Sequence, residues 1–340
     1  MKRVFLIVGV IFIVVIIALL YLLIDCDDRA IPGEYVVGYI IEEGTPRATL
    51  WKDRVPTFLS ELPSRAYSVF DSGDDLYVAG EVDSRATLWK NGVAKRLSPD
   101  PSLAKSVYVS GKDVYVAGMI EDKAIIWKNG KAIKLDKGSI ANDVVIQGKD
   151  VYVTGNNGTN RDAVAMLWKN GEAKTIAKRN SSANSMYLCD NNVYIVGSIT
   201  AERSTDLAGS IIFPYEFNAF WINEESSYQK IIMEVSHSVF VSGNDVYTVG
   251  KRYDQAILLI NEVEHELDGY IARSVFVSGN DVYVVGDVPL DFLQRYEGEI
   301  PKRFSAELWI NGKRQDFGNG KESAAYDVIV VRGDDTVDSL

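Results

Sequence analysis

Apolar residues in this chain come in short runs, not at helical intervals. Residues 104–110 (Ala-Lys-Ser-Val-Tyr-Val-Ser) predict a strand, a; Gly111-Lys112 predicts a turn; residues 113–120, 123–128 and 131–135 predict strands b, c and d. Between c and d stands Asn129-Gly130, a pair suited to a two-residue hairpin because both residues accept positive φ. In strand c, Ile126 points one way while Ile125 and Trp127 point the other, since strand side chains alternate. A sheet with water on one face would alternate apolar and polar. This sheet is therefore expected to lie between two others of the same kind.

The pattern repeats. A Tyr-x-x-Gly signature occurs at Tyr35/Gly38, Tyr77/Gly80, Tyr115/Gly118, Tyr152/Gly155, Tyr194/Gly197, Tyr247/Gly250 and Tyr283/Gly286, its tyrosines stepping by 42, 38, 37, 42, 53 and 36 residues. All six tryptophans (Trp51, Trp89, Trp127, Trp168, Trp221, Trp309) share one repeat position, and Leu259 fills the seventh. Asn-Gly returns at Asn91-Gly92, Asn170-Gly171 and Asn311-Gly312. A period of about 40 residues built from short strands marks a propeller or array. The expected fold is all-β: a seven-bladed β-propeller of four-stranded antiparallel blades over residues 34–335, with 336–340 a tail. The first copy lacks a strand a, because Ile31-Pro32-Gly33 precedes Tyr35 directly. Ala325-Tyr-Asp-Val-Ile-Val330 matches Ala104-Lys-Ser-Val-Tyr-Val109 and is expected to close that blade, removing the ring's open edges.

Ahead of the repeats, Val4 to Ile24 are 21 residues without a charge, preceded by Lys2-Arg3 and followed by Asp25, Asp27 and Asp28. At 1.5 Å per residue that length matches the roughly 30 Å hydrocarbon core of a bilayer. The charges on either side predict residues 1–3 in the cytosol, a single-pass transmembrane helix over 4–24, a tether over 25–33 and the propeller on the extracytoplasmic side. A cleaved signal peptide competes, although its apolar region would be shorter and end in small residues. So does a lipid anchor through Cys26, although Asp25 stands where a lipoprotein signal has a small residue.

A net charge of −11 argues against nucleic acid and against docking on anionic lipid. Cys189 is the one cysteine in the propeller, so no disulfide forms within it. The recurrent glycines are expected at turns or strand ends. Asp75, Asp113, Asp150, Asp245 and Asp281 open strand b and are expected to accept backbone hydrogen bonds in the a–b turn; none is grouped as calcium requires.

Function is expected where the copies differ. From the strand b glycine to the tryptophan position the distance is 9 residues in blades two, three and six, 13 in one and four, 24 in five and 23 in seven. The two long b–c loops leave one face and carry Phe213, Tyr215, Phe217, Phe292, Arg295 and Tyr296. Long loops with aromatic content are commonly functional, although these could also pack on each other and cap the rim. A second variable ring follows the recurrent small residue of strand a: Tyr67, Lys105, Asn142, Asn184, His237, Arg273 and Tyr326, expected at the channel mouth on the same face. The next position holds Ser68, Ser106, Asp143, Ser185, Ser238, Ser274 and Asp327, expected to bond the adjacent loop backbone.

Dedicated chemistry is sparse. His237 and His265 fit no metal spacing, and no cofactor is implied. A His237, Ser238, Asp327 arrangement has no Gly-x-Ser-x-Gly elbow behind it. Asp143 and Asp327 would suit glycosidase work only if they faced each other about 5–10 Å apart.

Through Val-Tyr-Val-Ala-Gly (114–118), Ala-Thr-Leu-Trp-Lys-Asn-Gly (86–92) and their equivalents, residues 34–331 resemble seven-bladed β-propeller repeat proteins of the cell envelope. No functionally named propeller class is matched, so the resemblance implies the fold and transfers no catalytic residue. Three functions stay open. One is a membrane-anchored module binding an extracellular or periplasmic protein or glycan through the long-loop face. The others are a carbohydrate- or metabolite-active enzyme using acidic residues at the channel mouth, and a structural subunit of an envelope complex.

Overall fold

A computed structural model describes residues 32–332 apart from 159–161, 201–203, 206–210, 213–215, 224, 228–232, 291–302, 316 and 319. The expected segment 4–24 lies outside the described residues, and among these no helix is long and apolar enough to cross a membrane. Seven four-stranded antiparallel sheets follow one another, each in the order a-b-c-d. In the third, strands Ser102–Ser110, Asp113–Ile120, Lys123–Lys128 and Lys131–Lys134 agree with the sequence reading to within two residues at any end. Blade one is composite: Ser323–Val331 pairs with Gly33–Glu42, which continues into Thr45–Lys52 and Val55–Phe58. The seven-bladed ring and its closure by the last strand are thus both present.

The hairpins have the chemistry their residues suggest. Asn129 and Gly130 lie at φ 53° and 83°, and the other three Asn-Gly pairs match them. The strand b aspartates do something other than cap the a–b turn. Asn129 Nδ2 donates to Asp113 Oδ1 at 2.8 Å, Lys128 Nζ lies 2.7 Å from Asp113 Oδ2, and the Val114 amide donates to Asn129 Oδ1 at 2.9 Å. The same clamp joins Asn91 to Asp75, Asn170 to Asp150, Asn261 to Asp245 and Asn311 to Asp281. Asp and Asn thus pin the c–d turn to the start of strand b, which lies beside it at the same end of the b–c pair.

The core lies between blades, not within them. Ala124, Ile125, Ile126 and Trp127 are all buried, so strand c is covered on both faces. Each tryptophan packs towards the preceding blade: Trp168 joins Tyr115, Ala124 and Ile126 of blade three, and Trp51 joins Val285 and Leu308 of blade seven. Trp89 and Trp168 donate Nε1 to the Leu59 and Asp136 carbonyls of the blade behind them.

Blade six is the exception. Where Leu259 replaces tryptophan, Met233 fills part of the vacated volume. A Cβ added to Gly118 would meet the Trp127 ring at 3.0 Å, whereas one added to Gly250 would meet Met233 Sδ at 3.1 Å. Beside Leu259 lies a cavity of about 210 Å³, lined also by Phe220, Ile222 and Val246 and reaching the exposed Asn261 and Glu262.

Candidate functional site

The strand b glycines are not at turns or strand ends, as the sequence suggests, but inside the strand. Gly118 sits opposite Ala104, and the register slips between Ala104 and Ser106, leaving Lys105 as an extra, unpaired residue. The same slip occurs in every blade. A β-bulge of this kind bends its strand and re-aims one side chain. Glycine is needed opposite it because the bulged backbone folds over that position. A Cβ on Gly118 would stand 1.9 Å from the Leu103 carbonyl oxygen, and the other six glycines give 1.8–2.1 Å to the equivalent oxygen. The repeat's constant glycine therefore permits its variable residue.

The seven bulge residues are Tyr67, Lys105, Asn142, Asn184, His237, Arg273 and Tyr326, and together they line one cavity of about 260 Å³. Strand a begins and strand b ends here, so the cavity opens on the side of the b–c loops. Of the loop residues singled out above, Phe213, Tyr215, Phe292, Arg295 and Tyr296 lie outside the described residues. Phe217 is described only through its backbone, which pairs with Ile199.

Going round the cavity, the ring divides. Arg273 lies 4.8 Å from the centroid of Tyr326, whose ring is 5.0 Å from Tyr67, and Lys105 Nζ is 5.2 Å from the Tyr67 centroid. This arc is cationic and aromatic. The other arc, Asn142, Asn184 and His237, is neutral. Burial, reinforced by Arg273, Lys105 and Lys251, pushes the His237 imidazole down to about 3. Asn142 Nδ2 donates to the Ala183 carbonyl and Asn184 Nδ2 to the Ser236 carbonyl, each at 2.9 Å, so both also tie their blade to the next.

A supporting tier, which sequence reasoning missed, comes in blades two and seven from the residue after the strand b glycine. Asp287, 3% exposed, holds Arg273 through NH2 at 2.6 Å and Nε at 3.1 Å. Glu81 accepts from Tyr67 OH at 3.0 Å and Arg65 NH1 at 3.1 Å. The available signal was positional: these residues directly follow the glycine that faces the bulge.

The position after the bulge is structural, as its small oxygen-bearing residues suggest, but its partners are neighbouring blades. Asp327 accepts from Ser274 Oγ of blade seven at 2.7 Å and from the Val69 amide of blade two at 3.0 Å. Asp143 accepts from Ser106 Oγ of blade three at 2.7 Å and the Met186 amide of blade five at 2.9 Å. Burial raises both carboxyls, Asp327 to about 6. Among the described residues no cluster of His, Cys, Asp and Glu suits a metal ion. His265 is exposed on its outer strand, and Cys189 ends strand a of blade five. Neither a family model nor a curated protein matches this chain.

Proposed function

We propose that the protein is a binding module that takes its ligand at the mouth of the propeller channel. The observation that carries this is the convergence of the seven variable bulge residues on one cavity, above a frame that is otherwise repeated. Pockets that recognise ligands combine an enclosed space with a few convergent polar groups, and every side chain of this ring is polar or aromatic. The long b–c loops of blades five and seven leave their strands on the same side. Residues 4–24 anchor the module in a membrane, with the propeller facing outward to a glycan of the cell surface or envelope. Asp143 and Asp327 are each engaged between blades, which favours binding over hydrolysis.

The test is a glycan array and a pull-down from intact cells, both probed with the full-length chain, its Tyr326→Ala variant, and variants lacking 201–217 or 289–304. Wild type should capture a defined set of glycans, Tyr326→Ala should lose it, and the loop deletions should weaken it. Capture unchanged by all three variants, or capture of protein without glycan, contradicts the reading.

A further inference from the structure

Lys105 is the unusual member of the ring. Its ammonium makes no hydrogen bond or ion pair among the described residues and faces the cavity beside Tyr67. Lys105 is half-buried, and a cation withdrawn from water is ordinarily paired, because losing hydration without a counter-charge is costly. The lysines that end strand c are paired: Lys90, Lys128 and Lys169 lie 2.7–3.0 Å from Asp75, Asp113 and Asp150. Arg273 adds a second cation, fixed through Nε and NH2 by Asp287, with NH1 left without a partner among the described residues. Burial, then the nearby Arg273, lower the Lys105 pKa, and the Glu81 carboxylate, already engaged by Tyr67 and Arg65, offsets this only in part.

We propose that the channel mouth holds an anionic sugar unit. Its carboxylate or phosphate oxygens lie between Lys105 and Arg273, its ring packs on Tyr67 and Tyr326, and its hydroxyls meet Asn142, Asn184 and His237. This rests on the channel mouth being the binding site. Each arc supplies what one part of such a ligand needs. Cations receive the oxyanion, tyrosine rings offer flat apolar faces with polar tips, and neutral amide and imidazole groups exchange hydrogen bonds with hydroxyls. The cavity of about 260 Å³ suits a unit of this size.

Calorimetric titration of the full-length chain with glucuronate, glucose 6-phosphate, glucose and inorganic phosphate tests this. One or both sugar anions should bind at least tenfold more tightly than glucose or phosphate, and the better one identifies the oxyanion. Lys105→Met should lose at least tenfold in affinity for it while melting no lower than wild type without ligand, because the variant removes an unpaired cation. Lys105→Arg should keep part of the affinity. Glucose binding as well as its acids, or unchanged anion affinity in Lys105→Met, overturns the anionic class and leaves a neutral sugar site. Inorganic phosphate binding as tightly overturns the sugar. No heat from any of the four overturns the inference outright, while the glycan array still judges the site.

Discussion

Asp327 sits at the junction of blades seven, one and two, accepting from Ser274 Oγ, its neighbour's Val328 amide and the Val69 amide. Burial nonetheless raises its carboxyl to about 6. The native state therefore holds a proton that the unfolded chain releases near pH 4. The stability from that proton is complete below about pH 4 and is lost as pH rises through 6. A shift of this size corresponds to about 3 kcal/mol. Asp327→Asn, which cannot titrate, should lack that part of the pH dependence: the wild-type minus variant difference in unfolding free energy should fall between pH 4 and 7 in urea titrations. A difference independent of pH would contradict the burial argument. The ring itself was legible in sequence as a position that changes in every copy. That Asp113 and its equivalents serve the c–d turn was not, because the clamp joins residues brought together only by strand pairing.

At the scale of the strand, the bulge and its glycine act as one device. Gly118→Ala would drive a Cβ into the Leu103 carbonyl and the Trp127 ring, so the bulge must flatten or the strands part. We expect a loss of about 3 kcal/mol, measured by denaturant unfolding, with Lys105 turned from the cavity. An alanine tolerated there without cost would remove the geometric reason for the repeat's glycine. Strands were readable from alternation and Asn-Gly pairs, but a bulge depends on the partner strand's register, which one strand's residues do not display. Met233 was hidden for a similar reason: it substitutes for a ring absent 26 positions later, at Leu259. Met233→Ala alone should cost about 3 kcal/mol, and Leu259→Trp alone should overpack against Met233. Combined, they restore the arrangement of the other blades and should be less destabilising than the sum by about 1 kcal/mol or more. Additive effects would contradict the exchange.

For the molecule as a whole, closure depends on a strand from the far end of the chain. Gly33 pairs with Val331 and Ile40 with Ser323, and Val36, Trp51, Ala325 and Val328 share one cluster with blade seven. Because Val331 lies opposite Gly33, moving residues 321–332 to just before Pro32 makes the two strands an ordinary hairpin. That permutant should melt cooperatively within a few degrees of the parent, whereas deleting 321–340 should abolish the cooperative transition. The match of Ala325–Val330 to other strands a made this closure readable from sequence. The seven side chains thus meet in one place only because the ring closes.

The most direct test of the account is a paired alanine scan of two adjacent rings, following glycan capture and melting temperature together. Changes at Tyr67, Lys105, His237 and Tyr326 should alter capture with little effect on melting. Changes at Ser68, Ser106, Asp143 and Asp327 should lower melting while the folded fraction still captures ligand. Capture that is indifferent to the first set would contradict the channel mouth as the place of recognition.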